Sequence, residues 1–313
     1  MSPDAISVLG TGVAGLCAAT ALAERGLAVE LIEDDAPAAS RLAGGMLAPD
    51  CEGEVAPRAV VSAGRGALGW WRDRVGGVEA RGTLVVAPRR DAAELDRFAR
   101  ATRGHEAVDP GDPEPELAGR FARGLLFAEE GHLDPEEALA ALRLRLAVRG
   151  VAVRRGAPGG RVVDCRGLAA RDRLPGLRAV RGEMLLLDAP EVRLSRPVRL
   201  LHPRFPCYVV PRGGGRYMVG ATMVETDREG PVTVEGAMEL LSAAWTLHPG
   251  FGSAGIVATG AGLRPAFADN VPRVLRADGR WHLNGLYRHG FLTAPALAEE
   301  LACRMAEEAA HAH

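Results

Sequence analysis

The sequence predicts an α/β fold assembled from two differently built parts. Three observations carry that expectation. The chain opens on a strand, a glycine turn, a helix and a second strand; after Arg181 the pattern changes to turn-closed hairpin; and 313 residues with 47% apolar content suffice for one large domain or two intertwined smaller ones.

The elements follow in order. Ala5 to Leu9 is apolar apart from one serine and reads as a buried strand. A helix from about Val13 to Arg25 places Val13, Leu16, Cys17 and Ala21 at helical spacing, and Gly26 supplies its stop. Ala28 to Ile32 forms the next strand, parallel to the first. Residues 36–57 are rich in Ala, Gly and Pro and read as loop. A helix is expected over Val60 to Arg74, a strand over Thr83 to Ala87, a charged helix over Asp91 to Arg103 and a surface loop over Asp109 to Pro115. Asp134-Pro135-Glu136-Glu137 is a helix start, with a cap, a proline at the first position and acids on the positive end of the dipole. That helix runs to Arg149, and Gly150 ends it. Glu183 to Asp188 reads as a strand, and Cys207 to Pro211 with Arg216 to Ala221 as a hairpin closed by three glycines. Helices are expected over Val234 to Leu247 and Thr293 to Ala310, with short segments at Gly260 to Pro265 and His282 to Gly285 between them.

Composition excludes several chemistries. The sequence contains no lysine, which rules out Schiff-base catalysis through a lysine and a phosphate-loop lysine. A formal net charge of -2 gives no sign of a nucleic-acid partner, and the apolar runs are too short for a membrane span. Five cysteines, without metal-ligand spacing, read as reduced thiols in a cytoplasmic protein that binds no metal. The amino end has no basic segment of the kind that opens a signal peptide.

Gly10-x-Gly12-x-x-Gly15 sits between a strand and a helix. The first glycine permits the turn, the second lets backbone approach a pyrophosphate and the third lets helix and strand pack closely. The helix start offers free N–H groups to phosphate, and Glu33, ending the second strand, is placed for an adenosine ribose. The pattern points to a dinucleotide and does not separate FAD from NAD.

Gly44-Gly45-Met46-Leu47-Ala48-Pro49 resembles the flavin-side loop of the ThiO-type glycine oxidases, within the D-amino-acid oxidase superfamily. Three further segments resemble that family in the same order. They are Arg181-Gly182-Glu183-Met184, then Tyr208 to Arg212 with Val219 to Thr222, then Gly262-Leu263-Arg264-Pro265 with Tyr287 to Leu292. The resemblance implies a glutathione-reductase-type FAD-binding domain (approximately 1–60, 125–180 and 255–313) and an antiparallel-sheet substrate domain (approximately 61–124 and 181–254). It implies that Tyr208 and Arg264 hold a substrate carboxylate, with Arg288 a second arginine on the substrate side of the flavin. Gly10, Gly12, Val13, Ala14, Gly15, Glu33, Asp34, Ser40, Gly44, Gly45 and Met46 match FAD contacts. So do Leu286, Tyr287, His289, Gly290, Phe291 and Leu292. One departure is visible: between Val151 and Val163 the chain is short, with Gly156 to Gly160 in place of the family's extra strands, and no adenine contact is assigned there.

The residues suit the implied reaction. An arginine fork matches a carboxylate with two parallel hydrogen bonds, and a tyrosine hydroxyl adds a third. Without the resemblance, Arg264 would read as an ion-pair arginine at a surface or between domains, and Tyr208 as a core aromatic. The expected activity is oxidative deamination of a small amino acid, glycine foremost, with O2 as acceptor and hydrogen peroxide as product; the imine could feed thiazole assembly. A homo-oligomer is compatible with it. Three rivals stand beside this reading: a D-amino acid or sarcosine oxidase or dehydrogenase, an NAD-dependent dehydrogenase, and an inactive flavin-bound subunit of a larger oxidase.

Overall fold

The computed structural model describes residues 5–33 and 39–311. The strands are β1 (Ile6–Leu9), β2 (Val29–Ile32), β3 (Met46–Leu47), β4 (Thr83–Val86), β5 (Glu106–Val108), β6 (Gly124–Phe127), β7 (Gly131–His132) and β8 (Ala152–Arg154). They continue with β9 (Arg161–Asp164), β10 (Arg178–Asp188), β11 (Val198–Leu200), β12 (Cys207–Pro211), β13 (Arg216–Gly220), β14 (Gly255–Ala266), β15 (Arg273–Ala277) and β16 (Arg280–Asn284). The helices are α1 (Val13–Glu24), α2 (Pro49–Glu52), α3 (Arg58–Gly64), α4 (Ala67–Arg72), α5 (Ala92–Ala101), α6 (Pro135–Val148), α7 (Val234–Leu247) and α8 (Gly290–His311).

Two large sheets organise the chain. The first runs β15-β16-β9-β1-β2-β8, with β1 parallel to both β2 and β9 and only β15 antiparallel to its neighbour. Helix α1 is buried from Val13 to Leu22 because it is enclosed by the sheet, α6 and α8, whose Leu142, Leu146, Leu297 and Leu301 join one core with Leu16 and Leu22. A helix covered on several faces needs no polar stripe, and ten consecutive residues of α1 are accordingly small or apolar apart from Thr20. Asp134 caps α6 as expected: its Oδ1 accepts from the Glu136 and Glu137 backbone N–H groups at 2.8 and 3.3 Å.

The second sheet runs β14-β10-β13-β12-β11-β4-β6-β5 and is antiparallel except between β11 and β4. The hairpin of β12 and β13 closes through the three glycines. Helix α7 lays Leu240, Ala243, Ala244 and Leu247 on Leu185, Val209 and Val219 of the sheet. Helix α5 packs Leu95 and Phe98 against Val85, Leu125 and Phe127.

Several elements depart from the sequence reading. The helix expected over 60–74 is two short helices, broken at Gly64-Arg65-Gly66, where glycine weakens a helix. Residues 58–75 carry Val60, Ala67, Trp71 and Val75 into the core of the first sheet, not the second. Conversely β6 and β14 hydrogen-bond into the second sheet, so the expected segments 125–180 and 255–313 each contribute to both layers. Strands β10 and β14 are also longer than the sequence suggested, at 11 and 12 residues. The shortened stretch keeps two strands: β8 pairs with β2, and β9 with β1. No helix among the described residues is long and apolar enough to cross a membrane.

Candidate active site

A cavity of about 570 Å³ begins at the glycine turn after β1 and runs between the two sheets to Arg264, Tyr208 and Arg288. A smaller chamber of about 50 Å³ shares the Gly44, Tyr208 and Arg288 wall. The cavity is therefore built from the very elements that join the two layers.

The turn fits a dinucleotide. Gly10 takes a φ of +92°, open only to glycine without strain, and its carbonyl packs so tightly on Gly15 that a Cβ there would lie 1.9 Å from the oxygen. Gly12 precedes α1 without a side chain to cap it, and the Val13 N–H donates to Ser40 Oγ at 3.1 Å. The rest of the first helical turn has no intrahelical partner for its N–H groups, and a pyrophosphate supplies one. Gly10, Gly12, Val13, Ala14 and Ser40 all line the cavity, and Gly15 stands behind them as the packing contact.

Glu33 follows directly on β2 but is not part of the lining. Arg143 of α6 donates to its carboxylate at 2.6 Å and holds its pKa below the usual carboxylate range. Asp34 lies outside the described residues. Cys165 to Ala169, following β9, also line the cavity beside Gly10. Sequence reasoning assigned nothing to them.

The second stretch precedes and opens α8. Leu286, Tyr287, Arg288, Gly290 and Phe291 line the cavity, while His289 and Leu292 line the small chamber with Gly45 and Met46. Helix α8 starts at Gly290, earlier than the sequence suggested, so its positive end lies in the cavity wall. The His289 carbonyl accepts from both the backbone N–H and the hydroxyl of Thr293, each at 2.8 Å. Its imidazole is buried and lies 3.6 Å from Glu52. Burial pushes its pKa down to about 4, against the pull of that carboxylate.

Arg264 stands on β14, and its guanidinium lies over Gly182 of β10. A Cβ on Gly182 would come within 2.0 Å of Arg264 Nη2, so a larger residue there would displace the guanidinium from this position. One Nη1 hydrogen bond goes to the Thr222 carbonyl at 3.1 Å, and the accessible part of the side chain faces the cavity. Among the described residues it has no carboxylate partner. Burial lowers its pKa from the ordinary arginine value, and the neighbouring Arg288 charge acts in the same direction.

Tyr208 enters from β12, opposite Gly220 on β13 and against Gly44, whose missing side chain admits the ring. Arg288 is different. Its Nη2 donates to Glu52 Oε1 at 3.0 Å, and the Glu52 charge holds it protonated. Burial alone would raise the Glu52 pKa; the charges of Arg288, His289 and Arg199 bring it down to about 2. Glu52, which lines the small chamber, is another site residue that sequence reasoning missed. It closes α2, a four-residue helix inside the stretch taken as loop. The signal was Pro49 followed by Asp50, the start of a helix.

The comparisons agree with this geometry. The chain matches the family model for FAD dependent oxidoreductases, DAO, over residues 5–304. A Rhizobium etli protein named for the thiamine biosynthesis oxidoreductase ThiO is 53% identical over 317 residues, spanning 97% of each chain. The solved glycine oxidase from Bacillus cereus superposes with a TM-score of 0.81 at 23% identity, covering 97% of this chain and 95% of that one. Iminodiacetate oxidase from Chelativorans sp. gives 0.82 at 21% identity, covering 96% and 95%. At these identities the two structures speak for the fold, and the fold is the two-sheet α/β architecture described above. With the glycine turn, the cavity and the full-length family match in place, the chain belongs to the DAO family of FAD-dependent oxidoreductases.

Proposed function

We propose that this enzyme oxidatively deaminates a small amino acid, glycine foremost, using FAD. The observation that carries the reading is Arg264: a half-buried guanidinium without a carboxylate partner among the described residues, facing a cavity that starts at a dinucleotide turn. A buried cation is costly unless something answers its charge, and a substrate carboxylate does so with two parallel bonds. The name of the Rhizobium etli relative, a thiamine biosynthesis oxidoreductase, supports a redox reaction and a place in thiamine biosynthesis.

The residues divide the work. Arg264 and Tyr208 fix the carboxylate, which confines the substrate to few orientations and raises the rate by proximity. Gly10 to Ala14, Ser40 and the segment Leu286 to Phe291 would hold FAD, which when bound would supply the two-electron acceptor for hydride from the α-carbon and a route for those electrons to O2. The substrate's neutral amine assists through its lone pair, so the step asks for no protein base. His289, with its low pKa and its Nδ1 toward Glu52, stays neutral near pH 7. The imine leaves to hydrolyse or to be consumed by an acceptor. The five cysteines are free, four of them buried, which suits a reducing cytoplasmic compartment.

The test is anaerobic flavin bleaching over a panel of glycine, sarcosine, D-alanine and L-proline. Glycine should bleach the flavin band fastest, and re-admitted O2 should restore it with release of hydrogen peroxide. A flavin that no small amino acid reduces would end the proposal.

A further inference from the structure

Five arginines line the large cavity: Arg166, Arg171, Arg181, Arg264 and Arg288. Four of them are already answered by a carboxylate. Arg166 meets Asp164 at 2.6 Å, Arg171 meets Asp227 at 3.9 Å, Arg181 meets Glu183 at 2.8 Å and Arg288 meets Glu52 at 3.0 Å. Arg264 alone, among the described residues, has only a backbone carbonyl.

We propose that Glu52 determines specificity by charge: it neutralises Arg288, leaves Arg264 as the single uncompensated cation of the site, and so restricts the enzyme to ligands with one carboxylate. The inference rests on the reading of Arg264 as the carboxylate anchor.

The geometry supports this role for Glu52. Arg264, Arg288 and Tyr208 line the same cavity, and the Arg288 charge lowers the Arg264 pKa, so the two guanidiniums face one neighbourhood. Two free guanidiniums there would form a site for a dicarboxylate. Glu52 prevents it from within: Oε1 takes the Arg288 Nη2 hydrogen bond, while Oε2 is buried without any hydrogen-bond partner, turned toward a neutral His289. A second ligand carboxylate would have to displace Glu52 from Arg288 and would meet its negative charge beside it. Glu52 thus acts through Arg288, as a positioning residue, and selects against dianions by repulsion as well as by occupying the fork. Glu229, the exposed carboxylate of the lining, adds negative charge of the same sign without pairing to Arg264.

The experiment measures binding of unreactive ligands to the FAD-loaded protein, by flavin difference spectra and calorimetry, with acetate, malonate and succinate as probes. None carries an amine, so turnover does not intervene. The wild type should bind acetate at least as tightly as either dicarboxylate. In Glu52→Gln, which keeps an acceptor for Arg288 but removes the charge, malonate or succinate should gain about tenfold or more relative to acetate. A merely structural role for Glu52 would weaken all three together and leave the ratios alone. A wild type that prefers a dicarboxylate, or a variant that binds acetate without the shift in ratio, overturns the proposal. Should Glu52→Gln fail to fold, Glu52→Gln with Arg288→Met removes both charges. That double variant should keep wild-type ratios, and loss of its acetate binding would assign the carboxylate to Arg288 and refute the inference. Arg264→Ala separates the two ideas: acetate binding that survives it sinks the anchor itself, whereas its loss with unchanged ratios in Glu52→Gln sinks only the role of Glu52.

Discussion

Replacing Arg264 should damage catalysis while leaving the fold intact. The guanidinium offers a carboxylate two charge-assisted hydrogen bonds, each worth about 1.5–3 kcal/mol. Losing both costs about 3–6 kcal/mol, or roughly a hundredfold to ten-thousandfold in kcat/KM at about 1.4 kcal/mol per factor of ten. The stability side is much smaller. Arg264→Ala removes one bond to the Thr222 carbonyl, but it also relieves a half-buried cation that no carboxylate among the described residues compensates. The two nearly offset, so thermal stability should stay within about 1 kcal/mol of wild type or rise. Arg264→Lys keeps the charge without the fork and should fall between wild type and Ala. Steady-state peroxide release against glycine and calorimetric unfolding are the assays. If Arg264→Ala lowers the melting temperature sharply while kcat/KM stays within about threefold, the side chain is structural and the reasoning fails.

Three other perturbations test separate parts of the structure. Gly15→Ala would place a methyl 1.9 Å from the Gly10 carbonyl, so the turn must open and the protein should purify with little flavin; a normal flavin-to-protein ratio would contradict the close-packing argument. Trp71 is fully buried, donates its Nε1 hydrogen to the Phe291 carbonyl at 2.8 Å and packs on the Phe291 ring, so Trp71→Ala should cost about 3–5 kcal/mol in denaturant unfolding, and less than about 1 kcal/mol would be inconsistent with that packing. Burial pushes the Glu130 pKa up to about 8, well above its unfolded value, so its contribution to stability is fully present below about pH 4.5 and is lost as pH rises through 8. Glu130→Gln should therefore match wild type near pH 4.5 and gain on it by up to about 1.4 kcal/mol per pH unit toward pH 8; equal pH profiles for the two proteins would refute a buried neutral acid.

The opening unit was legible because each of its demands is local. A buried strand, three glycines at fixed offsets, an apolar helix and a second strand lie within 32 residues, and each reads on its own. The hairpin of β12 and β13 was legible for the same reason. Glu52 was not, since its partner Arg288 lies 236 residues away and α2 is too short to show a period. The first half of β14 escaped notice because Gly255 to Thr259 is exposed and mixes small with apolar residues, so neither alternation nor a continuous apolar run appears. The division of the chain between layers was hidden in another way. Residues 58–75 carry an apolar pattern that any core would accept, and nothing local says that Trp71 belongs against Phe291. Arg264 could be placed on an element from sequence, but only the structure shows it without a carboxylate partner.

The same long-range closure explains how the anchor is held in register with the cofactor side. Arg264 belongs to the sheet that supplies Tyr208, while Arg288 belongs to the turn that opens α8 in the other layer. A single backbone hydrogen bond joins them: the Tyr287 N–H donates to the Pro265 carbonyl at 2.8 Å, one residue along from each arginine. Tyr287 accepts a left-handed φ of +50° to make it, a conformation that costs a non-glycine residue energy and persists only where its surroundings demand it. Pro265 restricts the backbone of Arg264 immediately before it. Strand, proline and strained turn together fix the backbone that carries the two arginines before any ligand arrives. A site whose selectivity depends on which of two cations is free needs that rigidity, because a misplacement of about 1 Å in a site residue is enough to cost function.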